Sequence, residues 1–253
     1  MNVIFLGTGT SHGVPMIACP CPVCASADPR DRRTRPSLAL QYDTRCVLID
    51  TSPDIRSQCI GNNICRIDAI LYTHHHADHI VGLDDVRRFN AIAKAPIPCY
   101  ASADCLRRIK KMFGYAFADD PDYPSAKPQL TAHPVHEPFD LFGKTTTPVP
   151  LLHGRHTILG FRFDNCAYCT DCNHIPDPSL QLLRNLDVLI LDGLRRRPHP
   201  THFNLDQAIQ AAHRIAAKQT YFTHIAHELP HRRTNAHLPP NMALAYDGLT
   251  IEL

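Results

Sequence analysis

Short apolar runs bounded by turn residues open the chain. Residues 3–7, 37–42, 46–50 and 68–73 each read as a strand. Apolar residues at spacings of three and four then predict helices over 83–93 and 105–113. From 114 to 138 the text turns rich in proline and aspartate with no period, which predicts a long surface loop or lid. Strands resume at 147–152, 158–163 and 166–170, and a buried strand at 186–191 lies between helices at 178–185 and 205–218. Short strands at 221–223 and 249–253 close the pattern. Strands, helices, strands, helices, with no Gly/Ser-rich linker and no fixed-period repeat, predict one α/β domain over 1–253 built from two β-rich halves.

Composition narrows the class. The 253 residues are 44% apolar and 20% charged, enough to bury a core without disulfide staples. A formal net charge of +2 gives no reason to expect nucleic-acid or membrane binding by bulk charge. Two counts are high for the length, 17 His and 11 Cys. An odd cysteine number, a start without a basic leader and no apolar run near the ~18 residues of a membrane span predict a cytoplasmic chain with reduced thiols.

The histidines are not scattered. His74, His76, Asp78 and His79 follow the apolar strand 68–73 and precede a helical pattern, so they sit on a loop at a strand end. Three imidazoles and a carboxylate in six residues suit divalent zinc, manganese or iron, and suffice to serve two adjacent ions. His75 breaks the spacing. Three later residues, His153, Asp171 and His224, also end strand-like runs, where a shared edge of the fold would gather them.

With these residues in view, the chain resembles the metallo-β-lactamase superfamily over essentially its whole length. The resemblance implies an αββα sandwich fold and a metal-dependent hydrolase with two divalent ions in its active site. In the family's pattern His74, His76 and His153 hold one ion, Asp78, His79 and His224 the other, and Asp171 bridges them. Asp50, ending the run 46–50, matches the acidic residue that braces the histidine loop, and reads equally as the start of a turn in Asp50-Thr51-Ser52-Pro53-Asp54.

Cys19, Cys21 and Cys24 place three thiols in a Pro-rich loop, compact enough to hold one structural zinc with His227 as a fourth ligand. This loop, with the opening Gly-Thr-Gly-Thr and the run Thr223-His224-Ile225-Ala226-His227, resembles the phosphoribosyl cyclic phosphate phosphodiesterases of carbon–phosphorus lyase pathways. Cys166, Cys169 and Cys172 overlap a strand that sends Cys169 and Cys172 to opposite faces, so they read as small buried hydrophobes. Cys46, Cys59, Cys65, Cys99 and Cys105 read the same way.

His202 stands just before a predicted helix and matches the position where phosphodiesterases of this superfamily place a non-ligand histidine as general acid. Arg195, Arg196 and Arg197 beside it suit a phosphate, or read as a solvated loop. The implied activity is hydrolysis of a small, cyclic phosphodiester, with Asp78 and His202 as the catalytic pair and a homodimer as the implied assembly. A tRNA 3′-processing nuclease of the same fold would want a basic RNA-gripping arm, and the loop 114–138 is partly acidic instead (Asp119, Asp120, Asp122). A non-catalytic metal-binding module would lack ligands, yet all seven positions are filled. The basic stretch from Asp28 to Pro36 reads as a solvated turn or as part of a pocket lining.

Overall fold

The computed structural model describes residues 1–120 and 122–253, and its backbone divides into two compact units. The first comprises Met1–Gly7, Pro36–His136 and Gly248–Leu253; the second comprises Thr8–Arg35 and Glu137–Asp247. The halves predicted from sequence are therefore interleaved, with the Cys-rich loop belonging to the later unit.

The first unit is built on strands β1 (Asn2–Gly7), β2 (Ser37–Tyr42), β3 (Arg45–Ile49), β4 (Ala69–Leu71), β5 (Ile97–Ala101), β6 (Leu130–Pro134) and the C-terminal β14 (Thr250–Glu252). They form one seven-stranded sheet in the order β14-β1-β2-β3-β4-β5-β6. The pairs from β3 to β6 are parallel, and β1 and β2 are antiparallel to their neighbours. Helices α1 (Ile55–Gly61), α2 (Ala77–Ile80), α3 (Arg87–Ala93) and α4 (Ala103–Met112) complete it. In α4 the Ser102 hydroxyl caps the Cys105 N–H, and Cys105, Leu106 and Ile109 turn one face inward. They join Ile4, Leu48, Ile70 and Tyr72 in the core of this unit. The helix predicted over 83–93 is instead a 3-10 turn, Val81–Val86, running into α3.

The region 114–138 departs from the predicted lid. A 3-10 turn spans Gly114–Ala116, the Tyr115 hydroxyl donates to Asp84 Oδ1 at 2.7 Å, and β6 pairs with β5 in full register. Parallel pairing is non-local, which is why no local pattern announced β6. Pro121, inside this region, lies outside the described residues.

The second unit holds β7 (Phe139–Leu141), β8 (Lys144–His153), β9 (His156–Phe163), β10 (Cys166–Cys169), β11 (Val188–Asp192), β12 (Gln219–Thr223) and β13 (Met242–Leu244). Their order is sequential, β13-β12-β11-β10-β9-β8-β7, with parallel pairing from β10 to β13. Helices α5 (Asp177–Leu182), α6 (Leu205–Ile215) and α7 (His231–Asn235) accompany it. Asn204 and Gln207 cap α6 reciprocally, and Leu205, Ala208, Ala212 and Ile215 bury its inner face beside Leu189, Leu191 and Phe222. Parallel strands open their C-terminal ends at one edge, and in open α/β sheets that edge carries the chemistry.

Two smaller expectations change. Cys65 is exposed, while Cys46, Cys59, Cys99 and Cys105 are buried. Arg33, inside the basic stretch, does not face solvent. Its guanidinium is buried and donates to Thr8 Oγ1 at 2.8 Å and the Ala245 carbonyl at 2.6 Å.

Candidate functional site

In the first unit, β3 and β4 are parallel neighbours, so the residues leaving their C-terminal ends meet. Asp50 leaves β3 and Thr73-His74 leave β4. The Asp50 carboxylate is fully buried and accepts three hydrogen bonds: from Thr73 N–H at 2.8 Å, Thr73 Oγ1 at 2.8 Å and His79 Nδ1 at 2.7 Å. Burial pushes its pKa up, and the imidazole of His79 opposes that rise. With Nδ1 committed to Asp50, His79 presents the Nε2 lone pair, and Asp78 Oδ2 lies 3.5 Å from that atom. The ring of His74 packs 4.2 Å from that of His79 and 4.5 Å from that of His76, centroid to centroid. Gly82 lets this segment close: its N–H donates to the Thr51 carbonyl at 3.0 Å, and a methyl group there would collide with the Ser52 carbonyl oxygen.

In the second unit, four residues gather at strand ends. His153 ends β8, and its Nδ1 donates to the Thr201 carbonyl at 3.0 Å, which leaves the lone pair on Nε2. Asp171 follows β10, Asp192 ends β11 and His224 follows β12. His224 Nε2 lies 3.2 Å from Asp171 Oδ2, whose partner oxygen accepts from Thr170 Oγ1 at 2.7 Å. His202 is buried, donates from Nδ1 to Asp192 Oδ2 at 2.7 Å and stacks on His224 at 4.7 Å and 12°. Ligand-capable atoms of His153, Asp171 and His202 lie within 4.8 Å of one another, as do those of Asp192, His202 and His224. Asp50, Asp171 and His224 all have left-handed backbones, with φ of 63°, 56° and 58°. For non-glycine residues that conformation costs on the order of 1–2 kcal/mol each.

The same unit brings the Cys-rich loop to His227. Cys19, Cys21 and Cys24 place their Sγ atoms 3.3, 3.4 and 3.4 Å from His227 Nδ1. A ring nitrogen donates to one sulfur, not to three at equal distance. Tetrahedral Cys₃His zinc, with bonds of about 2.3 and 2.0 Å, separates sulfur from nitrogen by about 3.5 Å. This donor set fits a zinc ion.

The model of the Beta-lactamase superfamily domain matches residues 45–225. The chain belongs to the metallo-β-lactamase superfamily. A crystal structure of a diphosphatase of the PhnP family superposes on this superfamily member with TM-score 0.93 and 49% identity, covering 100% of this chain and 97% of that one. The chain is also 37% identical to an octanoyltransferase of Porphyromonas gingivalis over 254 residues, 98% of this chain but 51% of that protein. It thus spans about half the length of that relative. The short form of human tRNase Z shares the fold alone, at TM-score 0.71 and 20% identity. The metallo-β-lactamase fold is a metal-dependent hydrolase fold, and it implies divalent ions.

Two features of this superfamily member escape a reading of its sequence. Asp192 sits in Val188-Leu189-Ile190-Leu191-Asp192, which reads as one more buried strand; only the parallel pairing of β11 with its neighbours shows where its carboxylate stands. The second is a cleft of about 250 Å³ beside His202, lined by Thr10, His12, Arg195, Arg197, His199 and Glu228 among others. Arg197 pairs with Glu228 at 2.7 Å, whereas the Arg195 guanidinium donates to the carbonyls of Arg197 and Pro198. Burial, followed by the neighbouring His202, lowers the pKa of His199. Arg196 is exposed.

Proposed function

We propose that this chain is a metal-dependent phosphoric diester hydrolase acting on a small, cyclic phosphodiester, organised as one hydrolase domain over 1–253 and working in the cytoplasm. The observation that carries the reading is His202. It is a buried imidazole oriented by a carboxylate, set among His153, Asp171 and His224 and open to an arginine-bearing cleft. The likeness to a diphosphatase at 49% identity supports phosphoester chemistry over lactone or thioester cleavage.

In the family's pattern, His74, His76 and His153 would hold one divalent ion and Asp78, His79 and His224 a second, with Asp171 shared. Bound there, such ions supply Lewis-acid polarisation of a phosphoryl group and acidify water. The rest is done by side chains. Asp50 fixes the tautomer of His79, and the Thr201 carbonyl fixes that of His153. Asp192 holds His202 with its proton-bearing Nε2 directed at the leaving oxygen, to which that proton passes as the P–O bond breaks. Arg195 offers guanidinium protons to a phosphate in the cleft. Cys19, Cys21, Cys24 and His227 would hold a structural zinc that ties the Cys-rich loop to the segment after β12.

Metal-loaded protein is assayed on bis(p-nitrophenyl) phosphate, a ribose cyclic phosphate and a precursor tRNA. Turnover of the small diesters without RNA cleavage is expected; RNA cleavage alone would move the reading to a nuclease. In His202→Ala, turnover should fall by about a hundredfold or more with metal content unchanged. Loss of metal in that variant would make His202 a ligand and remove the acid role.

A further inference from the structure

A cleft of about 460 Å³ in the first unit takes no part in the chemistry proposed above. It is formed by α1, the segment after it and α3. Ile55, Cys59, Ile64 and Val86 form a buried apolar floor. Ile60 and Ile92 stand at its lips, 63% and 51% exposed. Single exposed hydrophobes are ordinary on a protein surface; two flanking one apolar hollow make a continuous patch of the kind that marks a binding site.

Charge is distributed unevenly around that hollow. Arg56 and Arg88 line it, both are exposed, and neither is ion-paired among the described residues. Arg87 also lines it but is tied to Asp84. Asp85 supplies one carboxylate. Two open guanidinium groups against one aspartate leave the rim with a single positive charge, matched by a monoanion. The volume lies in the range of about 300–1,000 Å³ that holds a small ligand. A stable protein partner would cover about 800 Å² on each side, more than one such hollow offers.

We propose that this cleft binds a small organic monoanion with one aliphatic arm, the arm lying on the isoleucine-lined floor and the carboxylate meeting Arg56 and Arg88. The planar fork of arginine suits a carboxylate, and the apolar floor gives the affinity that a surface ion pair alone would not.

The full metal-loaded chain is titrated calorimetrically with decanoate, with decyltrimethylammonium (the same tail, opposite head) and with acetate (the same head, no tail). Decanoate should bind saturably, one per chain, with both controls at least tenfold weaker. Cys65 lines the mouth and is exposed, so decanoate should slow its alkylation by a maleimide several-fold, read on the Cys65 peptide by mass spectrometry. The double variant Arg56→Glu/Arg88→Glu should lose tenfold or more in decanoate affinity and gain for the cationic amphiphile. Ile92→Asp should lose affinity for both amphiphiles. All of these positions are exposed, and unchanged melting temperatures would show that the variants fold. Absence of saturable binding, equal affinity for both head groups, or full affinity in the double variant would each overturn the proposal. So would a dimer that decanoate dissociates on gel filtration, which would make the cleft an interface between copies.

Discussion

At the scale of single residues, the contact between His202 Nδ1 and Asp192 Oδ2 carries the sharpest expectation. Asp192→Asn keeps an acceptor for the ring and removes the charge that favours its protonated form. Turnover should fall by roughly 10–100-fold, and the alkaline limb of the rate–pH profile should move to lower pH. A uniform loss with no movement of that limb would reduce Asp192 to packing. Asp50→Ala should act earlier, at loading, because it strands the Thr73 N–H and releases His79. The free-zinc concentration at half-occupancy under chelator titration should rise by about 10–100-fold. The two carboxylates were unequally legible in sequence. Asp50 was singled out by the family resemblance, although His79, the ring it braces, lies 29 residues on. Asp192 ends a run that looks the same, and no such resemblance marked it, although the histidine it serves lies only ten residues on. Nor does any local pattern foretell left-handed backbone at Asp50, Asp171 and His224, since short polar residues at strand ends adopt many turns.

At the scale of elements, the Cys-rich loop and α2 are held by different means. Three sulfurs converge on one ring nitrogen, so Cys21→Ser should lower bound zinc by one equivalent per chain and lower the melting temperature. Elemental analysis beside a thermal melt checks both. The α2 segment is closed by the approach of Gly82 to Ser52. Gly82→Ala should cost about 1–3 kcal/mol through displacement of the segment that carries Asp78 and His79, visible as lower urea stability and lower metal occupancy together. Helices with a cap and an inward stripe, such as α4 and α6, were legible to within a few residues. Strands β5, β6 and β13 were not, because their stabilisation comes from pairing with distant partners, and β7, paired with its neighbour β8, is too short at three residues to show a period.

At the scale of the whole molecule, interleaving is the least legible property. The first and last strands belong to one unit, whereas Thr8–Arg35 joins the later one. A buried polar network anchors that segment. Arg33 Nη2 donates to His231 Nδ1 at 3.2 Å, and Asp31 Oδ1 accepts the His231 N–H at 2.7 Å. Burial, with the Arg33 charge beside it, holds the His231 pKa down at about 4, and burial brings that of Arg33 down to about 10. In the unfolded chain His231 takes up its proton near pH 6.5, while the folded chain resists until about pH 4. Stability is therefore complete above pH 6.5 and declines as pH falls towards 4, by at most about 3 kcal/mol from this group. Urea denaturation from pH 7.5 to 4 should show a steeper decline in the natural chain than in His231→Gln. Parallel curves would remove His231 as the cause.

The left-handed turns at Asp50, Asp171 and His224 have a bearing on cation choice. Two of them direct a donor and the third, Asp50, directs the brace of one, and imidazole with carboxylate is a donor mixture that zinc, iron and manganese all accept. Which of them occupies the protein is then decided by supply: the metal pool the chain meets as it folds, and in the laboratory, the growth medium.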